Sequence, residues 1–398
     1  METPRNMRPA GSPATARLQC RHKGGEGGPT LVVVGGLHGN EPAGLVAARQ
    51  VVADLEKAET GFRGEIVVLA GNLRALERSV RYQHRDLNRV WTPERIRELR
   101  ETGAIAGGNP EDLEQRELLE AIDAILAGIQ GEAYFLDLHT SSAEGCPFLT
   151  VGDTLRNRRF AMNFPLPLIL GLEEQLEGSL LEYLNNRGMI TLGVEAGQHD
   201  APTSVDHFMA AVWLGMVSAG MLQAHELPAL DRYRKLLAAA ASGMPRVVEV
   251  RYRFAITPAD DFRMQPGYAN FHHVRKGELL ARDRAGDIRA ILAGMVLLPL
   301  YQGQGDDGFF LATEFRPFWL KVSGALRRLR TASLLPLFPG VRRHPDREGV
   351  LIVDTRVARW FPLQIFRLVG YRKLRRRGKL LLVSRRKFDL RAPVRYSA

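Results

Sequence analysis

The sequence predicts an α/β fold in which a mixed sheet is flanked by helices, followed by a small all-β domain and a basic C-terminal extension. Three observations lead there. Short apolar runs rich in β-branched or aromatic residues, "LVVV" at 31–34, "EIVVLA" at 65–70 and "YFLDL" at 134–138, have the length and composition of strands buried on both faces. The stretches between them space their apolar residues for helices, and strands alternating with helices build a sheet covered on its faces. From about Arg246 the texture turns to short strands separated by Gly, Asp and Pro, and from Ser323 the charge balance changes.

The elements are justified in chain order. Residues 1–22 read as a loose arm, because "METPRNMRPAGSPATARLQC" has no apolar h-region and is no secretory signal. Residues 23–228 form the α/β domain. Within it "EPAGLVAARQVVADLEKA" and "NPEDLEQRELLEAIDAILAGI" are helices, the second opened by a capping Asn and a first-turn Pro. "TLGVEAG" is a further strand, and "SVDHFMAAVWLGMVSAGML" a helix with Ser204 as its candidate cap. Residues 229–322 supply the β-rich domain through "RVVEVRYRFAI", "GELLARD", "IRAILAGMVLLPLYQ" and "GFFLATEF".

Residues 323–398 carry 20 Lys/Arg against four Asp/Glu, a net of +16, whereas the remainder carries 35 against 40, a net of −5. The basic character therefore belongs to the extension, which also contains the strand-like "GVLIVD" and "KLLLVS". The 398 residues are 45% hydrophobic and 25% charged, and no run of 18 apolar residues interrupts them, so a soluble globular chain is expected. Two cysteines, Cys20 and Cys146, point to a reducing compartment and a cytoplasmic location rather than a disulfide framework.

Chemistry-bearing residues gather at strand ends, where an α/β sheet presents its ligands. In "LVVVGGLHGNEPAG", His38 and Glu41 lie three apart in a glycine-rich turn opening into a helix, and both can face one metal. Zinc accepts imidazole and carboxylate and, in catalytic sites, takes three protein ligands plus water. His139 in "FLDLHTSS" ends another strand and is a candidate third ligand; Asp137, two residues back, shares its face and can support it. "RYQHRDLNRVW" crowds Arg81, Asp86, Asn88 and Arg89 together, and Arg is suited to bidentate carboxylate binding. Glu195 in "VEAGQHD" is placed to act as a general base. Each motif alone also fits a surface pair, a core histidine or a solvated loop.

The order HGNE, R-Y-x-x-x-D-L-N-R, D-L-H and V-E-x-G over Leu31 to Gly197 resembles the succinylglutamate desuccinylase/aspartoacylase family, a branch of the zinc carboxypeptidase-like fold. The stretch from "MQPGYANFHHVRKGELL" to "GDDGFFL" resembles that family's β-rich C-terminal domain. The resemblance implies one zinc per chain, held by His38, Glu41 and His139, with Asp86 orienting the first histidine. It implies that Glu195 activates the zinc-bound water, that Arg81 polarises the scissile carbonyl, and that Asn88 and Arg89 grip a substrate carboxylate. The expected activity is hydrolysis of the amide of an N-acyl amino acid or a related carboxylate-bearing small molecule. The alternatives are a carboxypeptidase-like peptidase or amidase, and a zinc-fold binding protein.

The acyl-pocket residues of that family have no identifiable counterpart in "RFAMNFPLPLILGLEEQLEGSL", and whether Gln198, His199 or Cys146 lines the pocket stays open. His272 and His273 read as structural. The extension interleaves arginines with Trp360, Phe361, Phe366 and Tyr371, a composition suited to nucleic acid, an acidic partner or an anionic membrane. It holds no nucleic-acid-binding motif, and the plainer expectation is a small folded appendage with a solvated basic face. A homo-oligomer is a further open alternative.

Overall fold

The computed structural model describes residues 16–58, 61–102, 108–357, 363–393 and 396. Its first eight strands are β1 (Leu18–Lys23), β2 (Gly25–Gly35), β3 (Arg63–Ala70), β4 (Ala133–Ser141), β5 (Phe148–Thr150), β6 (Leu168–Leu170), β7 (Ile190–Gln198) and β8 (Val247–Ala255). They belong to one 11-stranded mixed sheet in the order β1-β3-β2-β4-β7-β5-β6-β8, continued by Asp307–Glu314, Gly294–Leu297 and His273–Val274. β2 pairs in parallel with β3 and β4, and β4 with β7, so the C-terminal ends of these strands share one edge.

The apolar runs are continuous because both sheet faces are covered. Leu31 and Val33 of β2 pack into one core cluster and Val32 and Val34 into another, as a period of two requires. Helices Ala43–Lys57 and Thr203–Ser218 fill the first face, and Pro93–Thr102 and Pro110–Gly128 the second. Asn109 caps Pro110–Gly128 as expected, its side chain accepting from the Asp112 N–H. Ser204 caps nothing: the helix begins at Thr203, and the Ser204 hydroxyl donates to the Gln198 carbonyl, 3.0 Å away.

Several boundaries differ from expectation. Residues 1–15 of the expected arm lie outside the described residues, but the arm does not extend to 22, because Leu18–Lys23 pairs antiparallel with β3. An edge strand needs only one apolar face, so "LQCRHK" lacked the signature of a buried strand. The expected break at 228/229 does not divide the sheet either. "VVEV" of β8 is buried throughout and pairs in parallel with β6, while its other edge takes Asp307–Glu314. Only Arg263–Met264, Leu279–Asp283 and Gly286–Arg289 form a separate three-stranded sheet in the β-rich region.

The extension is folded. Helix Pro317–Arg328 crosses the expected start at 323. Beyond it Val341–Arg343, Val350–Asp354, Leu380–Arg385 and Tyr371–Arg377 make a four-stranded antiparallel sheet around Leu335, Leu351, Val353, Phe366 and Val383. Trp360 and Phe361 lie outside the described residues. Among the described residues no helix is long and apolar enough to cross a membrane.

Candidate active site

The sheet edge at the ends of β2, β4 and β7 brings the sequence motifs together. His38 follows β2, His139 lies in β4, and Glu195 stands opposite His139 in the β4–β7 register. The turn after β2 needs its glycines. Gly36 adopts φ +68°, and a Cβ on Gly39 would lie 2.0 Å from the Ala75 carbonyl carbon. The Gly39 N–H donates to the Arg81 carbonyl at 3.1 Å, so this turn also anchors the second motif.

His38, Glu41 and His139 are buried, and one ligand atom from each lies within 4.8 Å of the others. It is the sole group of this kind among the described residues. Nδ1 of His38 lies 2.9 Å from Glu41 Oε1, and Nδ1 of His139 lies 3.0 Å from Oε2. The far nitrogens are backed by carboxylates: Asp86 Oδ1 is 3.1 Å from His38 Nε2, and Asp137 Oδ2 is 3.0 Å from His139 Nε2. Two imidazoles turned inward by buried carboxylates, with a third carboxylate between them, match the donor set and orienting shell of a zinc site.

The electrostatics of the cluster is tightly coupled. Burial by itself would raise the Glu41 carboxyl, but the two histidines outweigh it and hold Glu41 well below the usual carboxylate range. Burial would also raise Asp86, and His38, Arg81 and Arg89 hold it low. His139 is pushed well above the usual imidazole range, because Asp137 and Glu41 overcome its desolvation. Glu195 goes the other way. Desolvation, with Glu41 and Asp137 nearby, pushes it up to about 8, and its Oε2 is buried without a hydrogen-bond partner.

The D-L-N-R segment forms a short 3₁₀ turn, Leu87–Arg89, capped by Asp86, whose Oδ1 accepts from the Asn88 N–H at 2.8 Å. Asp86 thereby does three things, since its Oδ2 also accepts from Arg81 Nη2 at 3.0 Å. Arg81, Asn88 and Arg89 all line the cleft of about 110 Å³ over the cluster. Asn88 Oδ1 accepts from the Leu180 N–H at 2.9 Å, which leaves its amide nitrogen as the group it can offer a ligand. Arg89 is paired with Asp307, 2.9 Å from its Nη2, while its Nε is buried without a partner.

Residues that sequence reasoning missed complete the cleft. Leu298, Leu300, Gln302, Asp306 and Asp307 reach it from the connection into Asp307–Glu314, and Leu172, Glu173 and Leu176 from the segment after β6. "YQGQGDDG" read only as a turn; its glycines and paired acids were the available signal. Gln198 and His199 do not line the cleft. His199 stands behind it, with Nδ1 2.7 Å from Thr140 Oγ1 and Nε2 3.1 Å from Gln302 Oε1. Cys146 packs beside the core containing Phe148 and Phe271, and burial pushes its thiol up to about 12, as an inert cysteine requires. His272 is exposed and packs edge-on to Tyr268.

Comparison with known proteins shows what the chain is similar to. Residues 27–211 match the family model of the succinylglutamate desuccinylase/aspartoacylase catalytic domain. Over those residues the chain is similar to that family's catalytic domain. The succinylglutamate desuccinylase of Serratia proteamaculans is 26% identical over 269 residues, covering 65% of this chain and 75% of that one. The one from Photorhabdus laumondii is 36% identical, but over 66 residues and 20% of its length. Among solved structures, the succinylglutamate desuccinylase/aspartoacylase of Rhodobacter sphaeroides superposes with a TM-score of 0.54 at 18% identity, covering 75% of this chain and 88% of that one. That likeness shows that the chain shares the α/β fold of that structure.

Proposed function

We propose that this chain is a zinc-dependent hydrolase cleaving the amide bond of an N-acyl amino acid or a related carboxylate-bearing small molecule. The observation that carries the reading is Glu195: a half-buried residue whose Oε2 is buried and unpartnered, lining the same cleft as the His38–Glu41–His139 cluster. Such a group is poised to take and return a proton. Zinc held by the two Nδ1 atoms and Glu41 would supply Lewis acidity and lower the pKa of a bound water towards about 7.

The remaining roles belong to the chain itself. Glu195 accepts a proton from the attacking water and delivers it to the departing amine nitrogen. Arg81, fixed between Asp86 and Glu41, offers its guanidinium to the carbonyl oxygen as negative charge develops there. Asp86 and Asp137 hold the two imidazoles in orientation. Asn88 and Arg89 place the substrate carboxylate; because Arg89 is already paired with Asp307, the carboxylate meets its remaining N–H groups or displaces that acid. The small cleft, walled by the 298–307 connection, favours a small acyl amino acid over a peptide chain.

The test is a hydrolysis panel of N-acyl amino acids alongside peptides with free C-termini, with metal content measured on the same preparation. About one zinc per chain and chelator-sensitive release of the free amino acid are expected. Full activity in metal-free protein would overturn the mechanism, and faster peptide cleavage would favour the peptidase.

A further inference from the structure

The family model ends at residue 211 and assigns nothing to the basic extension. Besides its buried contacts with Asp153 and Glu249, the extension reaches one short stretch, the segment from Gly171 to Glu182. That stretch supplies Leu172, Glu173, Leu176 and Leu181 to the wall of the catalytic cleft. Its inner side is tied to the site: the Trp91 N–H donates to the Gly178 carbonyl at 2.9 Å, and Asn88 accepts from the Leu180 N–H. Its outer side is tied to the extension.

Three ion pairs make the outer attachment. Arg386 Nε lies 3.2 Å from Glu174 Oε1, Lys373 Nζ 2.6 Å from Glu182 Oε1, and Arg375 Nη2 2.5 Å from Glu177 Oε1. They differ in weight. The Arg375–Glu177 pair is more than half exposed on both sides and contributes little, whereas Arg386 and Glu174 are largely buried. Arg386 lies against the bare face of Gly152, where an added Cβ would stand 2.5 Å from its Cζ. Glu174 also accepts from the Asp153 N–H at 2.9 Å, so the arginine closes a site the catalytic domain has already shaped.

The Lys373 contact leads into the cleft. Glu182 lies in the first turn of helix Leu180–Asn186, and its N–H donates to Ser179 Oγ, the helix cap, at 3.1 Å. The Ser179 hydroxyl in turn donates to Glu173 Oε2 at 2.9 Å, and Glu173 lines the cleft. A basic side chain on the extension is thus three hydrogen bonds, through Glu182 and Ser179, from a group the substrate would meet.

We propose that the C-terminal extension positions the Gly171–Leu181 wall of the cleft and thereby sets which acyl amino acids fit, with Arg386 and Lys373 as positioning residues acting through Glu174 and Glu182. The proposal rests on the deacylase reading for its substrate, but not for its mechanical part. It gives the extension's positive charge an intramolecular partner in the acidic "LEEQLEGSLLE" segment, 172–182.

The test uses full-length, zinc-loaded protein carrying Lys373→Glu, Glu182→Lys, the double exchange, Arg386→Gln and Arg386→Lys. Two readouts are taken: KM and kcat over a series of N-acyl amino acids of increasing acyl length, and hydrogen–deuterium exchange of the 171–182 peptide. Each charge-breaking single variant should raise KM about fivefold, unequally along the series, with kcat within about twofold and zinc unchanged. Exchange should rise in 171–182 and stay at wild-type levels in strand Ile190–Gln198. The double exchange, and Arg386→Lys in part, should restore both readouts. Unchanged exchange in 171–182, or a uniform rise across the whole chain, would overturn the proposal, as would a KM change equal for every acyl length. If the wild type cleaves no N-acyl amino acid, the deacylase reading fails, and the exchange data still decide whether the extension holds the wall.

Discussion

Two regions of this molecule bury clusters of charge, and they are built to opposite ends. In the catalytic cleft Glu41, Asp86, Asp137 and Glu195 outnumber Arg81 and Arg89, two imidazoles face inward, and Glu195 Oε2 finds no partner. At the seam beneath the C-terminal sheet the balance is reversed. Buried Asp153 is met by Arg158 at 2.5 Å, by Arg327 at 2.9 Å and by Arg372, while Glu249 pairs with Arg372 at 2.5 Å and Arg251 at 2.6 Å. The seam gives each acid at least one fixed cation, and its unpartnered buried atoms are the Nε groups of Arg327 and Arg372 rather than carboxylate oxygens of Asp153 or Glu249. Density of buried charge therefore does not separate the two regions; an unpaired carboxylate oxygen lining the same cleft as a cluster of metal-ligand type side chains does.

The largest way to break the comparison is Glu195→Gln. It should retain zinc and fold normally while kcat falls on the order of 10³-fold, the scale of a lost general base, and steady-state turnover with metal analysis checks it. Surviving activity would place Glu195 with the structural acids of the seam. Next comes Asp153→Ala, which leaves Arg158, Arg327 and Arg372 buried together. It should lower unfolding stability by about 3–5 kcal/mol in denaturant titration without touching zinc content.

The same seam should be acid-labile. Burial alone would raise Asp153, but its three arginines hold it well below the usual carboxylate range. An acid with a depressed folded pKa contributes stability that is complete above its unfolded value of about 3.9 and is lost as pH falls through the folded one. Wild-type stability should therefore drop below about pH 4, and the Asp153→Ala variant should show a shallower drop in that window.

A smaller effect is expected from Asp86→Asn. The turn at Leu87–Arg89 keeps its cap, but His38 loses its anionic support, and zinc affinity in a chelator competition should weaken about 10–100-fold. Smallest is Arg375→Ala at the exposed end of the extension, where the change in stability should stay within about 1 kcal/mol. A larger loss would mean that exposed pairs of the extension behave like the buried ones of the seam.

The sequence by itself determined the layered α/β domain and singled out the residues that the fold gathers around one cleft. Continuous β-branched runs are read directly as strands covered on both faces, and four short motifs at strand ends carry their spacing in the chain, so His38, Glu41, Asp86, His139 and Glu195 were legible before any coordinates. Local signals could not give what depends on long-range pairing. The edge strand Leu18–Lys23 has one apolar face only, and β8 joins the large sheet through a partner some 80 residues earlier, Leu168–Leu170. Asp307 on Arg89, the Leu172–Leu176 wall and the Arg386 contact with Glu174 each join segments far apart in the chain, the two ion pairs across 218 and 212 residues. Composition recorded the last of these only as an excess of charge at one end. The tertiary structure decided where that charge goes, because an ion pair depends on distance in space and leaves no periodicity in the chain.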